Sequence, residues 1–190
     1  MIQNSLFFKF TGRRLNFCMN IQKNPQDKFL RVVTWILFIF CMLVLSRYIL
    51  FKGGADRFEI YLAKYDSQKM MKRGIQRANF VPFATLKYFY SIRKHYSYLV
   101  VKNILGNVIG FIPLGVLLPI LFVRLQRIGK TIVVVFLISL SFETIQLLFN
   151  LGVFDMDDLI LNTFGGAIGY ILYIISKKLM YMDSVPAPAR

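Results

Sequence analysis

Four blocks of about twenty mostly apolar residues, near 32–51, 99–123, 131–149 and 159–175, constrain this chain more than any other feature of its sequence. A helix of that length crosses the hydrocarbon core of a bilayer with every backbone N–H and C=O satisfied inside the segment, which the absence of water there demands. In a chain of 190 residues the four blocks leave no room for a separate soluble domain. Composition agrees: 56% of the residues are hydrophobic and the mean hydropathy is +0.55, whereas soluble domains hold ~45–50% apolar residues. The expected fold is therefore all-α, a polytopic membrane protein of about four transmembrane helices. Residues 1–31 form an N-terminal segment, 32–175 the transmembrane domain and 176–190 a C-terminal tail. The mixed residues ahead of the first block do not read as a cleavable signal peptide.

The net charge of +15 comes from 24 Lys and Arg that lie between the apolar blocks and form no reading face, so nucleic acid is not an expected partner. Basic flanks of this kind orient membrane helices and attract anionic headgroups. The turn at 124–130 carries Arg124, Arg127 and Lys130; the turn at 150–158 carries no Lys or Arg but Asp155, Asp157 and Asp158. The positive-inside rule then puts the first turn in the cytoplasm, the second outside, and both termini in the cytoplasm. Residues 52–98 run against that assignment with ten Lys and Arg, but the rule weakens as loops lengthen. Part of this loop reads as an interfacial amphipathic helix between helices one and two, with Phe58, Tyr61, Leu62 and Tyr65 on one face and Lys64, Lys69 and Lys72 beside it. The two cysteines, Cys18 and Cys41, form neither a disulfide framework nor a metal motif.

Strongly polar side chains inside membrane helices are costly unless paired, so each one needs a reason. Asn103, Asn107 and Gly110 share a face of helix two, and Glu143 and Gln146 are three apart on helix three. Asp155, Asp158, Asn162, Gly165 and Gly169 follow one stripe of helix four. Short connections make helices two to four antiparallel neighbours, so these groups converge in one half of the membrane, beneath the aspartate turn. Interhelical hydrogen bonding would account for the amides, with Gly106–Gly110 and Gly165–Gly169 allowing close approach. Glu143 asks for more, because an amide would bond as well without a carboxylate's burial; Lys102 or a loop arginine is the expected counter-charge. Asp155 or Asp157 is expected to cap the helix that follows.

Four segments in order resemble the VanZ-like proteins, small polytopic bacterial membrane proteins. They are Asn79-Phe-Val-Pro82-Phe83; Asn103-Ile-Leu-Gly106-Asn107 with Phe111-Ile-Pro113-Leu-Gly115; Glu143-Thr-Ile-Gln146; and Asp155-Met-Asp157-Asp158-Leu-Ile-Leu-Asn162-Thr-Phe-Gly165-Gly166. The chain departs from that pattern at Gly152-Val153-Phe154, where many members carry an arginine. The resemblance implies a place in the bacterial plasma membrane and a cell-envelope role, the founding member being associated with resistance to the glycopeptide teicoplanin. The leading expectation is a non-enzymatic protein that lowers glycopeptide susceptibility by binding a lipid or amphiphile at the outer leaflet. Membrane lipids, a lipid-linked cell-wall precursor or a lipoglycopeptide are the partners it would meet. Asn103, Asn107, Glu143, Gln146, Asp155, Asp158 and Asn162 would line the pocket, and Phe80, Pro82 and Phe83 would form an apolar lip. No nucleophile, phosphate-binding arginine cluster or metal-spaced histidine pair appears, so no catalytic residue, metal ligand or cofactor is assigned. The alternative is a membrane-embedded enzyme acting on a lipid-linked envelope substrate, with Glu143 as base and the aspartates holding a divalent metal.

Overall fold

The computed structural model describes residues 25–50, 67–149 and 151–183. Cys18 and the expected amphipathic face at Phe58–Tyr65 fall outside them. Among the described residues the protein is all-helical, without strands, and four of its helices are long and apolar enough to cross a membrane. Helix α1 runs Pro25–Leu50, α2 Ser67–Arg77, α3 Ala84–Leu121, α4 Ile128–Phe149 and α5 Met156–Asp183, with a 3₁₀ turn Val123–Leu125 before α4. The membrane-competent stretches are Lys28–Leu50, Val100–Leu121, Ile128–Phe149 and Met156–Leu179, close to the four apolar blocks.

Three contacts fix which helix ends lie together. Gln146 Nε2 donates to the Ile49 carbonyl at 2.7 Å, joining the C-terminal ends of α1 and α4. At the opposite end Tyr170 Oη donates to the Gln126 carbonyl at 2.8 Å, and Trp35 of α1 stacks edge-on against Phe122 at 5.6 Å. The described start of α1, the 122–130 connection and the C-terminal half of α5 therefore share one end of the bundle. The aspartate turn and α2 share the other, because Gly74 of α2 lies so close to the Leu147 carbonyl that a Cβ would sit 2.3 Å from it.

Glycines set the tightest interface. A Cβ on Gly165 or Gly169 would lie 2.1 Å from the Val108 or Ile112 carbonyl of α3, and one on Gly115 would lie 2.1 Å from the Gly166 carbonyl, so α3 and α5 meet backbone to backbone. Gly106 and Gly110 instead receive α1, against Tyr48 and Leu45. Cys41, Leu45 and Ile49 of α1 close the core with Phe111, Leu114 and Leu118 of α3 and Val135 and Phe142 of α4.

Helix α3 begins fifteen residues before the apolar block that was expected to define it, and it is not straight. Leu86 N–H reaches Asp157 while Asn107 reaches the adjacent Asp158. That chain of contacts limits the Leu86–Asn107 separation to about 20 Å, given 3.8 Å between neighbouring Cα atoms. A straight helix over those 21 steps would span about 31 Å. The helical path therefore bends between Leu86 and Asn107, and its first turns fold back over the start of α5.

Candidate functional site

The start of α5 gathers a network of hydrogen bonds, most of them with the 79–86 segment. Asn79 adopts a single parallel bridge with Asp155: its N–H donates to the Phe154 carbonyl at 2.8 Å and its carbonyl accepts the Met156 N–H at 3.0 Å. Asn79 Nδ2 donates to Thr85 Oγ1 and to Asp155 Oδ1, while its Oδ1 accepts the Val81 N–H, so one amide ties together three backbone segments. Thr85 Oγ1 donates to Asp155 Oδ2 at 2.6 Å.

Two of the three aspartates act as helix caps, one in its own helix and one in another. Asp155 Oδ1 accepts the Asp157 N–H at 2.9 Å, an ordinary N-cap of α5. Asp157, fully buried, faces the other way: its carboxylate accepts the N–H groups of Phe83 and Leu86, two of the orphan donors at the start of α3. Phe83 stands in the left-handed region at φ 63° and has no side-chain cap of its own. A conformation that disfavours a bulky residue by ~1–2 kcal/mol persists there because it aims the amide at a buried carboxylate. Both helix N-termini thus converge on a pair of carboxylates, the charge that their dipoles favour.

Glu143 is 1% exposed and its Oε2 accepts the Asp155 N–H at 3.0 Å. Lys102, the expected counter-charge, is exposed and sits over the Tyr98 ring at 6.0 Å. It stands one turn before Asn107 on α3 and extends outward, where a Lys amine stays hydrated. Deeper in the bundle Asn107 Nδ2 donates to Asp158 Oδ1, and Asn162 Nδ2 donates to Ser139 Oγ at 2.8 Å. The Asn162 carbonyl oxygen is buried with no hydrogen-bond partner among the described residues.

A model of the VanZ/LLP1 family matches residues 32–177, the greater part of the chain and all four apolar helices. The chain belongs to the VanZ/LLP1 family. Against Protein VanZ of Enterococcus faecium, the VanZ/LLP1 chain is 42% identical over 79 residues, which cover 42% of this chain and 48% of that protein. The match thus spans about half the length of the curated relative. No solved structure matches the chain. Four apolar helices together with the VanZ/LLP1 match establish a multi-pass membrane protein.

Of the polar positions picked from sequence, Asn107, Glu143, Asp155, Asp158 and Asn162 gather within two turns of the α5 start. Gln146 lies at the same end but serves the α1–α4 contact, and half-buried Asn103 joins none of these bonds. Phe80, Pro82 and Phe83 are exposed, with Val81 beside them, and Phe80 packs on Phe154 at 5.1 Å between ring centres. Thr85, Ser139 and the outward-capping role of Asp157 escaped the sequence reading, and Asn79 entered it only as the first residue of a family segment. Asn79 was visible as a turn-forming residue two before Val81. Its partnership with Asp155, 76 positions away, carried no local signal. Among the described residues no group of three or more His, Cys, Asp or Glu is placed to hold a metal ion. Asp155 and Asp157 accept backbone amides as well as side-chain donors, and the exposed apolar ridge Phe80–Phe83 lies directly over them.

Proposed function

We propose that this chain is a bacterial envelope protein that lowers susceptibility to glycopeptide antibiotics such as teicoplanin by binding an amphiphile at the outer leaflet. The observation that carries the reading is the ridge of Phe80, Val81, Pro82 and Phe83, exposed at the end of the bundle and clamped from beneath by Asp155 and Asp157. Exposed aromatic and proline side chains at the border of a membrane suit the acyl portion of a lipid-linked wall precursor or of a lipoglycopeptide. Asn107, Glu143, Asp155, Asp158 and Asn162 serve this site by positioning the ridge, a rigid frame under a mobile ligand. The family resemblance supplies the link to teicoplanin.

The acidic turn faces outward in this reading, and both termini are cytoplasmic. Support comes from the short connection bearing Arg124, Arg127 and Lys130 against the 150–158 connection, which has neither Lys nor Arg. A membrane-impermeant thiol reagent should label Lys72→Cys from outside in intact cells; labelling only after permeabilisation would reverse the orientation. The functional test compares teicoplanin susceptibility of a strain carrying the wild-type chain with one carrying Phe80→Ser plus Phe83→Ser. Equal expression with lost protection is expected, and full protection by the double variant would remove the ridge from the mechanism.

A further inference from the structure

The opposite end of the bundle holds a second site of different chemistry. Phe38 of α1, Leu118 of α3, Phe122 just beyond it, and Val134 and Ile138 of α4 line an open cleft of about 650 Å³, with Arg124 also in the lining. That volume lies within the ~300–1,000 Å³ usual for a small-molecule site. Apart from Arg124 the lining is apolar, most of it on membrane-crossing helices and the rest in the connection that follows α3, so the occupant must be partly hydrocarbon. Its polar end must be anionic. Arg124 and Arg127 belong to the connection beside the cleft and Lys130 to the first turn of α4, and no acidic residue occurs between Asp66 and Glu143. Arg124 is exposed, and a guanidinium there presents a planar fork that matches a phosphate.

We infer that this cleft binds one anionic phospholipid, an acyl chain lying against Phe38, Phe122 and Ile138 and the phosphate held by Arg124. The site is separate from the acidic end and stands whether or not the ridge binds an amphiphile. The chain supplies its own reporter, because Trp35 is the single tryptophan and stacks edge-on with both Phe38, at 5.8 Å, and Phe122, at 5.6 Å.

The experiment reconstitutes the full chain in vesicles containing a small fraction of lipid brominated on its acyl chains, either phosphatidylglycerol or phosphatidylcholine, and reads quenching of Trp35. Wild type should be quenched by phosphatidylglycerol at a several-fold lower fraction, about fivefold for one basic residue acting near a charged lipid. Arg124→Gln should bring the two lipids to the same curve, while Lys178→Gln, exposed at the same end on α5, should keep the preference. Val134→Phe, which fills the cleft, should also abolish it. Equal quenching of wild type by the two lipids would overturn the site, as would an unchanged preference in both Arg124→Gln and Val134→Phe.

Discussion

The same helices end in two unlike ways. At the aspartate end, α3, α4 and α5 are joined by directed bonds: Glu143 and Asp155 to one backbone, Asp157 to another, Asn107 to Asp158. At the arginine end, the bundle is closed by aromatic edges of Trp35, Phe38 and Phe122 and by bonds from Tyr170, Lys177 and Thr131 to the connecting turn. The contrast teaches where fixed geometry is needed. Apolar contacts let neighbours slide, whereas a carboxylate that satisfies two amides in a low-dielectric place admits one arrangement. The aspartate end holds a non-helical segment against helix ends, and backbone without an internal partner must be satisfied by named groups.

The contrast breaks most severely at Asp157. Asp157→Ala leaves the Phe83 and Leu86 amides without their acceptor, and bonds to a charged group are each worth ~1.5–3 kcal/mol, so about 3–6 kcal/mol should be lost. A fall in Tm in detergent and faster trypsin cleavage after Arg77 and Lys87 would register it. Gly74→Leu should come next: its side chain would collide with the Leu147 carbonyl and lift α2 from α4, costing ~1–3 kcal/mol as overpacking does. Cleavage after Arg77 should rise while cleavage after Arg127 stays slow, which confines the damage to the aspartate end. Glu143→Gln should be milder, about 1 kcal/mol, because the amide oxygen still accepts the Asp155 N–H. If Glu143→Gln proved as damaging as Asp157→Ala in the same thermal assay, the carboxylate's charge would matter beyond this bond. At the arginine end Trp35→Leu should have the smallest effect, ~0.5–1.5 kcal/mol for its edge-on ring contacts, with unchanged proteolysis at the aspartate end.

The parts that sequence made legible are those with a period or a run. Apolar runs gave the four spans to within a few residues, and antiparallel packing brought Asn107, Glu143, Asp158 and Asn162 together, though not their spacing partners Asn103 and Gln146. Beyond these, Ala84–Leu99 carries Lys87, Arg93 and Lys94, so hydropathy hid a helix that does not itself cross the membrane. A backbone amide at a helix start is one partner of Glu143, and an amide leaves no mark in a sequence. Asp155 and Asp157 could not be told apart as caps, since the second points at a helix that begins 73 residues earlier.

The central claim is that Asp157 of α5 caps α3 and so fixes the Phe80–Phe83 ridge. Hydrogen exchange of the full chain in lipid nanodiscs, followed through the Phe83 and Leu86 amides, tests it directly. The account predicts slow exchange at both amides in wild type and fast exchange in Asp157→Ala, with the amides of α4 unchanged. Fast exchange in wild type, or equal protection in the two proteins, would contradict it.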